Sequence, residues 1–524
     1  MVIVMTSKIA KGSIVILIGS FLYRIGGYIY KVAMANLLGP AGYSILSITW
    51  PLQGFFIIIA GAGLPPAIAK HVSEYHAQND TEMVKSIISV AMTMMTAFGL
   101  LFSVIIFFLA HPIAVALNNP EATLPFQLIA LITPFSVIVG AMRGTFQGFY
   151  QMTNILITRA VELIFMVGAA IILVWVGLYV AGAVIGTAIG FMAALGAAVY
   201  LFQRDVRRKL SKPRKLLSRA SPALEFSDKL SIAKMLIIFS IPVVITGLAE
   251  LALYDMATYV IAYYYPESNL MGYFNISSTI ARLPLIISMA VATSVLPATA
   301  EAMSLNDHVL LKTYIRQSYR YVSFVVIPLC VGTVVFANPI IKLLFGQDFL
   351  PGVAALQILA AGMLFFTLYT ISSSISQGLG KPRLPMYVLV AGVTLDLILS
   401  LALIPPYGIN GAAVATSLAS LFIMATLMWS TLKLANVKLP LMEYGKILLA
   451  SLIMGGVFML FPPTILFLII GIIVSPFLYL GVLAVIGGLK LEDLRLLYKV
   501  GNKLGPFSNI VYKLINFLSR YAVE

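Results

Sequence analysis

Apolar residues in this chain gather into long runs, with polar residues collected in the short intervals between them. Each run holds about 20 mostly apolar residues, enough for a helix to cross about 30 Å of hydrocarbon. About fourteen runs can be counted, centred near Ser20, Ile57, Ala97, Pro134, Val167, Thr187, Thr246, Leu285, Ile327, Leu364, Val393, Ser417, Ile453 and Ile472. The pattern predicts an all-α polytopic membrane protein with little chain left for a soluble domain.

Composition agrees with a membrane solvent: 60% of the 524 residues are hydrophobic, 10% are charged, and the mean hydropathy is +1.01. The net charge of +15 raises the question of nucleic acid, but its distribution follows membrane sidedness and excludes that reading. If the N-terminus with Lys8 and Lys11 is cytoplasmic, alternate connections carry Lys70, Lys85, Arg143, Arg159, Lys312, Arg316, Arg320, Lys381 and Arg383, while the opposite ones show only Lys342. The run from Arg204 through Lys229 is the strongest positive-inside signal, so both termini are expected in the cytoplasm and the protein in the cell membrane as a multi-pass chain. The first apolar run is too long for a signal peptide and carries Arg24 and Lys31, so it is expected to be retained.

A period of about 230 residues divides the chain. Gly42-Tyr43 recurs as Gly272-Tyr273, Leu64-Pro65 as Leu296-Pro297, Ala110-His111-Pro112-Ile113 as Ala337-Asn338-Pro339-Ile340, and Gln147-Gly148 as Gln377-Gly378. The step spans six runs, an even number, so the halves share orientation as parallel six-helix repeats with two further helices at the end. The expected division is an N-terminal lobe at 1–203, a basic linker at 204–232, a C-terminal lobe at 233–432, helices 13 and 14 at 433–488, and an amphipathic cytoplasmic tail at 489–524. Gly182, Gly186, Gly190 and Ala194, with Gly411, Ala415 and Ala419 in the other half, read as close helix-packing seams. Pro51 and Pro284 are candidate hinges.

Candidate chemistry is sparse. A single cysteine, Cys330, and four scattered histidines argue against thiolate or histidine metal sites. No phosphate-binding Gly-rich loop and no Gly-x-Ser-x-Gly elbow is present, so neither an ATPase module nor an enzyme is expected. No cofactor is expected; energy for uphill work would come from sodium, protons or the membrane potential. Charges inside the apolar runs carry more information, because a cation at the bilayer centre costs roughly 3 kcal/mol and usually faces an internal cavity. Arg24, Tyr28 and Lys31 share one helix face, and Asn275, Ser278 and Arg282 share another in the opposite half. Guanidinium forks suit the oxygens of a diphosphate. Glu250, Asp255 and Asp396 serve either ion coupling or neutralisation of these arginines. Glu162 is expected to pair with Arg159, one turn before it.

These residues resemble the multidrug/oligosaccharidyl-lipid/polysaccharide exporter superfamily, in the polysaccharide-transporter branch that holds stage V sporulation protein B and lipid II flippases. The resemblance is carried by Tyr23-Arg24-Ile25-Gly26, by Gly63-Leu64-Pro65-Pro66 through Lys70, by Arg143-Gly144-Thr145-Phe146-Gln147-Gly148, by Gln377-Gly378-Leu379-Gly380-Lys381-Pro382, and by Pro406-Tyr407-Gly408-Ile409-Asn410-Gly411. It implies two lobes that alternate access around a cationic cavity, moving a polyprenyl-diphosphate-linked oligosaccharide or cell-wall precursor from the cytoplasmic to the outer leaflet. It further implies that Arg24 and Arg282 line that cavity, and that the helices around Ile453 and Ile472 form a groove for the lipid tail. The stretch Pro51–Phe56 lacks an arginine that lipid II flippases generally carry, which leaves the headgroup open. Partners on this reading are the lipid-linked saccharide and membrane lipids; the tail is expected to anchor at the cytoplasmic membrane surface, with docking of a glycan synthase or polymerase there as the alternative. A cation-coupled multidrug or metabolite antiporter of the same superfamily and a non-transporting envelope-synthesis scaffold stay as alternatives.

Overall fold

The computed structural model describes residues 2–207, 226–266, 269–490 and 493–494. The interior of the basic linker and most of the expected tail lie outside these residues. The chain divides into two compact units, Met1–Gly272 and Tyr273–Glu524. The first holds α1 (Val2–Ala60), α2 (Leu64–Ala77), α3 (Thr81–Ala116), α4 (Thr123–Gly148), α5 (Met152–Leu173), α6 (Tyr179–Leu201) and α7 (Phe226–Tyr264). A short helix, α8 (Leu270–Ala281), starts at the division. The second unit continues with α9 (Leu285–Ser304), α10 (His308–Val335), α11 (Ala337–Phe345), α12 (Val353–Gly378), α13 (Arg383–Ala435), α14 (Leu441–Met459) and α15 (Ile465–Val485).

Among the described residues, eleven segments are long and apolar enough to cross a membrane. Three of them span more than 50 residues each and turn back at a kink. The kinks fall at Gly39 in α1, at Gly177 between α5 and α6, and at Gly408 in α13. Counted as two crossings apiece, these three bring the total to the fourteen of the hydropathy pattern. Gly39 has φ 65° and ψ −179°, a region essentially closed to residues with a Cβ, and Pro40 follows it. The chain therefore turns at Gly39, while the helix runs uninterrupted through Pro51.

The repeat is visible in the elements themselves. α4 and α12 are both 26 residues long, start 230 positions apart, and each follows a short 3-10 turn. Asp80 caps α3 by accepting from the Met83 amide, and Asp307 caps α10 by accepting from the amides of Val309 and Leu310.

In the first unit, Leu64, Ile68, Ile87, Met95, Phe146 and Leu236 form one buried core. The small-residue ladder packs α6 on α5: a Cβ on Gly186 would lie 2.5 Å from the Ala170 nitrogen, and one on Gly190 would lie 2.8 Å from the Glu162 carbonyl oxygen. Its counterpart packs the two arms of α13, where Gly411 faces the Leu403 carbonyl and Ala415 and Ala419 are fully buried. In the second unit, α14 and α15 lie on α10 through Met454, Leu468 and Tyr479, whose hydroxyl donates to the Phe324 carbonyl at 3.0 Å.

Candidate functional site

α1 presents Arg24 on an exposed face, with Tyr28 and Lys31 half-buried at the next turns. The neighbours Ile25 and Ile29 are also exposed, so this part of α1 is a surface of the unit rather than its core. Among the described residues Arg24 makes no ion pair; Glu250, exposed on α7, lies within electrostatic range of it. Lys31 has its ammonium 5.7 Å from the Trp50 ring, and Trp50 in turn packs against Tyr30 and Tyr43. That contact joins Lys31 on the first arm of α1 to Trp50 on the second. Asp255 is buried on α7, at 8% exposure.

In the second unit, Asn275 and Ser278 are buried on α8 and Arg282 is half-buried just past its end. The apolar run centred near Leu285 is thus two helices. Pro284 has no amide hydrogen and crowds the carbonyl one turn earlier, so regular helix stops at Ala281 and resumes at Leu285. Helical pitch still reaches Arg282, whose amide donates to the Ser278 carbonyl at 3.2 Å. The three residues share one face, as their spacing predicts. Asp396 lies apart from them on α13, fully buried. Its carboxylate approaches Thr416 on the returning arm, and it has no hydrogen bond within 3.5 Å among the described residues. The hydroxyls of Ser400, Thr416 and Ser420 on the same helix pair are buried and equally without a hydrogen-bond partner there.

A charged cluster in the first unit departs from expectation. Arg143 and Arg159, which the hydropathy pattern counts as loop cations, lie inside α4 and α5. Glu162 pairs with Arg143 across helices at 2.5 Å, not with Arg159 one turn before it on α5. Tyr23 on α1 donates to the other Glu162 oxygen at 2.7 Å, and the Arg143 Nε donates to Thr158 at 3.1 Å. Arg159 is left stacked over the Tyr23 ring, 5.3 Å from its centroid. Helix rotation decides the pairing: Glu162 is buried against α4 and α6, while Arg159 faces a cavity of about 350 Å³. Tyr23, Ser136, Arg143, Gln147 and Glu162 line the same cavity. Arg143 and Tyr23 both stand in stretches that carry the family resemblance, which is the signal through which these residues could have been found.

A second buried cluster lies in the second unit. Arg320, also counted as a loop cation, is 5% exposed on α10. It donates to Asp493 at 3.1 and 2.5 Å, to Glu443 at 2.5 Å and to the Gly488 carbonyl at 3.0 Å. Lys490 closes the network on Glu443 at 2.8 Å.

Kinked apolar helices in a repeated arrangement, with arginines inside the crossings, describe a membrane transporter. The family described as Polysaccharide biosynthesis protein matches residues 9–303, more than half of the chain, and the chain belongs to that family. The MatE family matches residues 242–402. Lipid II flippase MurJ from Bacillus subtilis (strain 168) is 24% identical over 446 residues, covering 79% of this chain and 80% of the relative. Stage V sporulation protein B from the same organism is 24% identical over 462 residues, covering 83% and 86%. A solved structure of lipid II flippase MurJ in an inward closed conformation superposes with a TM-score of 0.71 at 18% identity, covering 90% of this chain and 98% of that one.

Proposed function

We propose that this protein is a flippase that carries a polyprenyl-diphosphate-linked oligosaccharide or cell-wall precursor from the cytoplasmic to the outer leaflet. Arg24 carries the reading. It is a permanently charged side chain inside an apolar crossing, exposed on its unit's surface and without an ion pair among the described residues. A cation kept at membrane depth in that state needs an anionic partner that comes and goes, and the diphosphate of a lipid carrier is such a partner. The curated relatives named as flippases support the same class of cargo.

In this mechanism the lobes 1–203 and 233–432 alternate access, with both termini in the cytoplasm of a cell-membrane protein. Arg24 and Arg282 hold the diphosphate, Tyr28, Asn275 and Ser278 contact the polar headgroup, and Lys31 assists from its place on Trp50. No covalent bond is made or broken. Glu250 balances Arg24, and Asp255 and Asp396 couple transport to an ion. The tail at 489–524, most of which lies outside the described residues, anchors to the cytoplasmic membrane surface, with docking of a glycan synthase or polymerase as the alternative. The deciding experiment is flipping of a fluorescent polyprenyl-diphosphate-sugar in proteoliposomes under imposed sodium, proton and voltage gradients. Activity that falls in both Arg24→Ala and Arg282→Ala supports the reading; unchanged activity in both removes the two arginines from the site, and wild-type inactivity across a panel of headgroups sinks the flippase reading.

A further inference from the structure

Arg159 is a half-buried guanidinium whose contact among the described residues is the face of Tyr23, and it looks into the cavity of about 350 Å³ in the first unit. The carboxylate on that cavity is already engaged. Glu162 takes the Tyr23 hydroxyl on one oxygen and Arg143 on the other, at 2.7 and 2.5 Å. Two arginines and one glutamate leave the cavity with one uncompensated positive charge. Arg24, next to Tyr23 in sequence and about 100° further round the helix, lies close enough to add its field to that of Arg159. The cavity volume sits at the small end of the range that holds small ligands, which suits a phosphoryl group with one attached unit. Donors reach it from two helices, with Gln147 and Arg143 on α4 and Arg159 on α5. That convergence suits a tetrahedral anion with several acceptor oxygens.

We infer that Arg159, with Gln147 and Arg143, forms a second phosphoryl-anion site in the first unit, distinct from Arg24 and Arg282. Arg159 lies on the order of 10 Å along α5 from its start at Met152, so the site stands between the α4–α5 connection and the Arg24 level. Tyr23 positions it: its hydroxyl holds Glu162 on Arg143 while its ring carries Arg159. The anion is either the diphosphate of the cargo, which rests on the flippase reading, or the phosphate of a bilayer lipid.

The test uses full-length protein in nanodiscs of neutral phosphatidylcholine, with phenylglyoxal labelling of Arg159 followed by peptide mass spectrometry. Inorganic pyrophosphate, farnesyl diphosphate, or phosphatidylglycerol built into the bilayer is added in separate arms. Labelling of Arg159 should slow about tenfold in at least one arm, the size expected for a charge-assisted contact. Protection by the diphosphates assigns the site to cargo; protection by phosphatidylglycerol alone assigns it to bilayer lipid. Equal labelling in every arm overturns the site. Where the diphosphates protect, equilibrium dialysis of pyrophosphate against Arg159→Gln gives the second readout. Loss of one bound pyrophosphate per chain with an unchanged melting temperature is expected, and wild-type stoichiometry and affinity would overturn the inference. Flipping by the wild-type protein separates the two proposals, because protection of Arg159 in a protein that flips no polyprenyl-diphosphate-sugar removes the flippase reading and leaves the anion site standing.

Discussion

Arg320 on α10 is bonded on every side, to Asp493, Glu443 and the Gly488 carbonyl. Arg159 on α5 lies half-buried against one aromatic ring and a cavity. Both are arginines inside helices of a membrane protein, and both stand beside a buried carboxylate, yet they leave different amounts of binding capacity. At Arg320 the carboxylates come to the guanidinium, so its donors are consumed and the network ties the start of the C-terminal segment and α14 to α10. At Arg159 the nearby carboxylate has been taken by Arg143 and Tyr23. A charge whose partners lie within the chain is architecture, whereas one facing a cavity with donors to spare can serve a ligand.

The contrast can be broken most severely at Arg320. Arg320→Ala strands the fully buried Asp493 and should destabilise the protein by about 3–5 kcal/mol. The check is the melting temperature in detergent, and a change of less than a degree would remove the distinction. The next effect should appear at Arg24, where the loss is functional. Arg24→Ala should lower flipping roughly 10- to 100-fold, the equivalent of one charge-assisted contact, with the melting temperature held.

Asp396 belongs to neither type, being buried with no hydrogen bond among the described residues. Asp396→Asn keeps the shape and should change stability by less than about 1 kcal/mol, because no hydrogen bond of the carboxylate is lost. Transport in this variant should cease to respond to an imposed sodium or proton gradient, and a gradient response equal to wild type would leave Asp396 without a coupling role. The smallest effect is expected at Lys31. Its contact with Trp50 is worth about 0.5–1 kcal/mol, so Lys31→Met should slow flipping by no more than a fewfold in the same vesicles. A loss as large as that of Arg24→Ala would move Lys31 from helper to principal contact.

Much of the fold is legible in the sequence because hydropathy and helical period are local properties. The runs around Ser20 and Ile57 become the two arms of α1, and the offset between Gln147-Gly148 and Gln377-Gly378 becomes the shared ends of α4 and α12. The common face of Asn275, Ser278 and Arg282 follows from spacing alone. Boundaries were less legible: Arg143, Arg159 and Arg320 read as loop cations because each lies near the end of an apolar run, where hydropathy weakens before the helix stops. The turn at Gly39 was hidden as well, because hydropathy does not report backbone conformation. A proline inside a helix can be absorbed by neighbouring turns, while a φ near +65° cannot be adopted cheaply by any residue with a Cβ.

The sequence by itself determined the solvent of this protein, its helical class, its repeat and its family, and it located Arg24 and Arg282 within apolar runs. Tertiary structure alone decided which charges meet. Glu162 had Arg159 one turn away and took Arg143, 19 residues off, together with Tyr23, 139 residues off. Arg320 found Asp493 at a separation of 173 residues. Such pairings depend on the rotation and register of whole helices against one another, which are set by close-packed seams such as Gly186 on Ala170. No local pattern of hydrophobic and polar positions contains that information.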